Sequence, residues 1–206
     1  TRSLSSAASD VYKRQWFGFN GGSQLALGSA ADAAAMANVY VNTNMAAAGG
    51  LVAAIVLASI LYGKADLSLA LNGALAGLVS ITAGPDVALP LQAIIIGAVG
   101  GVLCTLAIPL LDKLKIDDVV GAISVHLVAG IWGTLVVGIP GLGTLAADFV
   151  TQLIGVVAIG VFVVVVSAIT WLILKGVVGL RPTEEEEMSG LDVSELGMEA
   201  YPEFRN

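Results

Sequence analysis

The chain's one histidine sits in SVHLVAGIWG, residues 124–133, inside a run without charge from Val119 to Ala147. An imidazole titrates near neutrality and offers a hydrogen-bond donor and an acceptor at once. In an apolar setting it can therefore relay a proton or hold a small polar solute. On an α-helix the face of His126 continues through Ala122, Ala129, Gly130 and Gly133, because residues three, four and seven apart align. That face carries little bulk, so a facing helix or a narrow lumen can approach the ring. Ionisable groups inside long apolar helices mark substrate or proton paths; the alternative is a neutral histidine bonding a carbonyl on a neighbouring helix.

WFGFNGGS, residues 16–23, is the second candidate. Trp16, Phe19 and Ser23 are three and four apart and share a helical face. Aromatic faces attract small cations, and a hydroxyl one turn away can accept a hydrogen bond from one. The competing reading is an aromatic belt at a membrane–water boundary, where Trp and Phe gather for lipid reasons.

The elements that must hold these residues follow from the charge pattern. Charged residues make up 12% of the chain and hydrophobic ones 57%, against about 25% charged in a soluble domain. Five stretches contain no Asp, Glu, Lys or Arg: 33–63, 67–85, 87–111, 119–147 and 149–174. Each is long enough to cross a bilayer, which takes roughly 17–25 apolar residues. The pattern predicts an all-α polytopic membrane protein with helices near 16–30, 38–62, 67–84, 88–111, 119–138 and 148–177, about five full spans plus one partial. Residues 1–15, TRSLSSAASDVYKRQ, are polar and lack the apolar core of a signal peptide. They read as a non-native or truncated leader, followed by a transmembrane domain over 16–177 and an acidic tail over 178–206.

If the spans alternate, Lys64, Lys113, Lys115, Lys175 and Arg181 fall on one side and Asp32, Asp86 and Asp148 on the other. The positive-inside rule then places the basic loops and the C-terminus in the cytoplasm. Small residues four apart, Gly18 and Gly22, Gly73 and Gly77, Gly97 and Gly101, suit close helix packing in lipid.

Several functions are disfavoured. The net charge of −7 is concentrated in the tail, and no basic patch suggests nucleic acid. Cys104 is alone among apolar neighbours, so no disulfide or zinc framework is expected. GLGTLA at 141–146 matches a loose dinucleotide fingerprint but follows no strand, and reads as a turn. The TEEEE run at 183–187 reads as a solvated acidic stretch. No nucleophile–base pair or metal cluster is evident, so neither an enzyme nor a cofactor is expected.

Four segments in this order, WFGFNGGS, NGALAGLVSITAG (72–84), DDVVGAISVHLVAGIWGTL (117–135) and GLDVSELGMEAY (190–201), resemble the ammonium transporter family (Amt/Mep/Rh), on its Amt side. The resemblance runs from Trp16 to Tyr201. It implies an eleven-helix fold of two inverted halves, assembled as a homotrimer with one pore per subunit, in which this chain corresponds to the end of helix six through helix eleven. It implies that His126 is the second of two pore histidines, that Phe19 is one of two gating phenylalanines, and that Trp16 and Ser23 lie near an outer recruitment site. The implied mechanism recruits ammonium, deprotonates it and conducts ammonia past the histidines, with or without separate proton transfer. Gly190, Leu191, Asp192 and Tyr201 fall in the family's cytoplasmic tail, where pores are coupled and PII-type regulatory proteins bind. The partner histidine, the second phenylalanine and another outer-site aromatic would lie upstream, so the chain alone is expected to form an incomplete pore. Gly121 replaces an acid common in relatives, and Leu196 a histidine. An ammonium sensor of the same fold and a Rh-like gas channel are the alternative readings.

Overall fold

A computed structural model describes residues 14–87, 89–143 and 148–198. Most of the expected leader, and Tyr201 in the tail, lie outside the described residues. Among these residues there are helices and no strand. They divide into two compact units, one ending at Val157 and the other beginning at Ala158.

In the first unit, α1 (14–22) leads through a turn to α2, Ala30–Tyr62. The sequence pattern placed the start of α2 near residue 38 and extended α1 to 30. The earlier start is set by Ser29 and Asp32. The Ser29 hydroxyl accepts from the Asp32 amide at 3.1 Å, and the Asp32 carboxylate accepts from the Ser29 amide at 3.0 Å. This reciprocal pair satisfies amides that the first helical turn leaves without partners.

α3, Leu67–Ile81, is capped by Asp66, whose carboxylate accepts from the Leu69 amide at 2.8 Å. α4, Pro90–Lys113, begins with proline, where its missing amide costs nothing. A six-residue π-helix, Ile123–Val128, runs into α5, Ala129–Val136. α6, Phe149–Val177, follows and crosses the boundary between the units. Three helices, of 33, 24 and 29 residues, are long and apolar enough to cross a membrane: α2, α4 and α6. α3 at 15 residues and the segment Ile123–Val136 are shorter apolar helices than the expected 67–84 and 119–138.

Glycine lets α2, α3 and α4 meet backbone to backbone. A Cβ on Gly50 would strike the Gly73 carbonyl and the Gly77 backbone, and one on Gly97 would strike the Ala46 carbonyl. Of the three small-residue pairs, Gly73/Gly77 and Gly97/Gly101 sit in such contacts, while Gly18 and Gly22 face open space. The resulting register fixes direction. Gly50 lies against Gly77 whereas Ala54 lies against Gly73, so α2 and α3 are antiparallel. Asn72 lies against Gly121 and Ser80 against Gly133, so α3 and the π-helix–α5 segment run parallel.

Polar side chains pin the connections. Asn42 donates to the Pro85 and Val87 carbonyls at 2.9 and 2.8 Å, and Asn38 to Val87 at 3.3 Å. These bonds hold the α3–α4 connection beside the start of α2. Gln92 donates to the Gly141 carbonyl at 2.9 Å, bringing the 139–143 turn to the same end. At the opposite end, Lys64, Asp66, Asp112 and Asp118 line one cavity of about 740 Å³.

The second unit contains the rest of α6 and two short helices, α7 (Glu184–Ser189) and α8 (Leu191–Leu196). Thr183 and Glu186 form a capping box on α7, with the Thr183 amide donating to Glu186 at 2.8 Å. The TEEEE run is thus a helix start as well as a solvated acidic stretch. Gly190 joins α7 to α8 with φ 94°.

Candidate functional site

α1 carries two of the four predicted pathway residues, Trp16 and Phe19, with a third, Ser23, just past its end, and two bonds seat it. The Trp16 indole N–H donates to the Thr82 hydroxyl at 2.8 Å, just past the end of α3. The Asn20 amide donates to the Thr43 hydroxyl on α2 at 3.0 Å, with both residues buried. Phe17 meets Tyr40 edge to face at 5.7 Å. Bonds of this kind substitute for the hydrophobic drive that lipid does not supply between helices.

So held, Trp16 stacks on His126 with ring centroids 6.1 Å apart and planes 26° apart. Its other neighbour is Phe19, at 5.9 Å and 41°. Trp16, Phe19 and His126 therefore form one aromatic cluster from helices more than a hundred residues apart in sequence. Ser23 lies just past the end of α1, and its hydroxyl donates to the Phe19 carbonyl at 3.0 Å. That bond occupies its proton and leaves lone pairs to accept from another donor.

His126 itself differs from the sequence expectation in one respect. Its segment is a π-helix, whose wider i→i+5 turn takes in an extra residue and rotates what precedes it. The expected continuous face is therefore split. Ala129 is fully buried and Gly133 abuts the Ser80 backbone, whereas Ala122 and His126 are exposed. The imidazole makes no side-chain hydrogen bond to another described residue.

Asp118 organises the start of this segment. Its carboxylate accepts from the Ile123 amide at 2.9 Å, the Ser124 amide at 3.0 Å and the Ser124 hydroxyl at 2.9 Å. Burial alone would raise its pKa, but the hydrogen bonds from Ile123, Ser124 and Ala122 outweigh that and hold it below the ordinary carboxylate value. Gly121 supports the turn with φ 76°, and a Cβ there would crowd the Asn72 amide. Its departure from the acid expected of relatives thus fits its backbone and its neighbour. The sequence reading does not single out Asp118; its spacing to Ser124, six residues on, is the available signal. Thr82 was also missed, because nothing local marks a contact across 66 residues.

The tail residues Gly190, Leu191 and Asp192 lie at the α7–α8 junction, and Tyr201 is outside the described residues. Among the described residues no cluster of three or more His, Cys, Asp or Glu could hold a metal. Cys104 is buried in a small apolar cluster with Ala76, Val125 and Ala129.

Long apolar helices packed through glycine, with an imidazole stacked on a tryptophan among them, define an integral membrane protein of the polytopic helical class. The Ammonium Transporter Family profile matches residues 14–201, and the chain belongs to that family. It is 37% identical to ammonium transporter Amt2 of Archaeoglobus fulgidus, over 92% of this chain and 43% of that protein. It superposes on a solved sensor Amt protein with a TM-score of 0.84 at 35% identity, covering 94% of this chain and 49% of the other. Candida albicans Mep2 gives a TM-score of 0.78 at 26% identity, with 97% and 48% covered. The chain therefore spans less than half the length of these relatives. That share fits a half-length piece of the family's helical fold, as the resemblance implied.

Proposed function

We propose that this chain supplies one side of an ammonium-conducting pore. Ammonium is recruited at the outer end near Ser23 and Trp16, loses its proton, and passes as ammonia beside Phe19 and His126. The proton moves separately or returns to the outside. The observation that carries this reading is the stacking of Trp16 on His126 in an apolar bundle.

The chemistry suits the arrangement. A bare cation is costly away from water whereas neutral ammonia is not. Aromatic faces hold the cation before it is deprotonated, and the Ser23 lone pairs accept one of its N–H bonds. An imidazole then offers a donor and an acceptor without fixing a charge in the path. The other half of the fold would complete the lining, and three copies would assemble as a trimer in the cell membrane with the C-terminus in the cytoplasm. A PII-type protein acting on the 178–206 tail would regulate it.

Replacing His126 by Ala in the full-length protein tests the reading. The protein is expected to fold, while ammonium-evoked current and growth rescue of a transport-deficient cell both change. Wild-type behaviour in both assays would remove His126 from the path.

A further inference from the structure

We propose that Thr82 is a positioning residue of the pore, setting the plane of Trp16 against His126 through the indole N–H. The inference rests on the pore reading above. Thr82 lies at the C-terminal end of α3, and its hydroxyl donates back to the Leu78 carbonyl at 2.8 Å. Back-bonding of this sort is common for threonine in apolar helices and needs no further partner. Here it has a consequence. With its proton committed to Leu78, the oxygen can only accept, and its lone pair is directed at the Trp16 indole 2.8 Å away.

The indole N–H is a donor with no alternative role, and Trp16 is half-buried. Losing its acceptor would leave an unsatisfied donor beside the imidazole. The ring would then turn about its side-chain torsions to find another partner. Because Trp16 contacts both Phe19 and His126, a turn would alter the two contacts together. Thr82 itself has no described contact with His126, so its influence runs through Trp16.

The test uses the full-length protein with Thr82→Val, which keeps the branched shape, and Thr82→Ser, which keeps the acceptor. Ammonium-evoked current and the ratio of methylammonium to ammonium uptake are measured for each. Thr82→Val is expected to lower ammonium flux by about three- to tenfold, the range for one lost hydrogen bond. Thr82→Ser is expected to stay within about twofold of wild type on the same scale. In a Trp16→Phe background, which lacks the N–H, Thr82→Val should cause no further loss. Ultraviolet resonance Raman should show loss of one hydrogen-bonded indole N–H in Thr82→Val and none in Thr82→Ser.

Wild-type flux in Thr82→Val overturns the proposal. So does equal impairment of Val and Ser, or losses that multiply in the Trp16→Phe background. If Thr82→Val does not assemble, Thr82→Cys, a weak acceptor, takes its place with the same expectations. If His126→Ala is unaffected, the pore reading falls whatever Thr82 does. If His126→Ala is affected and Thr82→Val is not, this inference alone falls.

Discussion

Of the carboxylates that accept from amides at helix starts, Asp118, Asp148 and Glu186 each carry a pH dependence. Hydrogen bonds from the Thr151 amide and hydroxyl hold Asp148 below its ordinary pKa. Those from Thr183 do the same for Glu186. At Asp118 burial works the other way but is outweighed by the Ile123, Ser124 and Ala122 bonds. A carboxylate with a lowered folded-state pKa contributes stability above its unfolded pKa, near 4, and loses it as pH falls through the lower folded value. Thermal melts should therefore be flat from neutrality to about pH 5 and fall below about pH 4. Asp148→Asn should flatten that acid limb, and an unchanged limb would assign it to other groups. Asp118→Ala removes three acceptor contacts at the start of the histidine segment and should cost about 1–2 kcal/mol in detergent unfolding. Trp16, Phe19 and His126 were legible in the sequence as chemically apt types at helical spacing. Their stacking was not, because it joins segments distant in the chain.

At the scale of elements, charge-free runs located every long helix, since a bilayer tolerates few charges. They misplaced the α1–α2 turn because Asp32 was read as a loop charge. The Ser29–Asp32 spacing marked it as part of a cap, as Thr183–Glu186 did for α7. The π-helix at His126 had no signal in periodicity, which assumes a regular turn. Glycine spacing announced close packing, but only contacts chose between true interfaces and accidental matches. Gly50→Leu should cost about 2–3 kcal/mol, because its side chain would meet the Gly73 and Gly77 backbone, which cannot yield. Gly155→Ala on α6, where nothing lies within 4 Å, should be neutral or slightly stabilising. Equal effects in a thermal-stability assay would deny that α2 and α3 meet through glycine.

For the molecule as a whole, the loop charges and the helix register say the same thing independently. Antiparallel α2 and α3, with the α5 segment parallel to α3, bring the 63–66 and 112–118 loops to one end. That end holds Lys64, Lys113 and Lys115. The opposite end gathers Asp32, Asp86 and Asp148, since Asn38 and Asn42 bind the 85–87 connection, Gln92 binds Gly141 and Gly138 abuts Phe149. On the positive-inside rule we propose that the unit is oriented with its lysines in the cytoplasm. Single cysteines test this directly, because the native Cys104 is buried and should stay silent toward a membrane-impermeant thiol reagent. Lys113→Cys should be labelled only in inside-out vesicles and Asp86→Cys only in right-side-out ones. Labelling of both from the same face would mean that α4 does not cross the bilayer, and the register would then describe a bundle lying otherwise in the membrane. Labelling from opposite faces but in the reverse sense would keep the topology and invert it, placing Ser23 at the cytoplasmic end and reversing the direction of the proposed path.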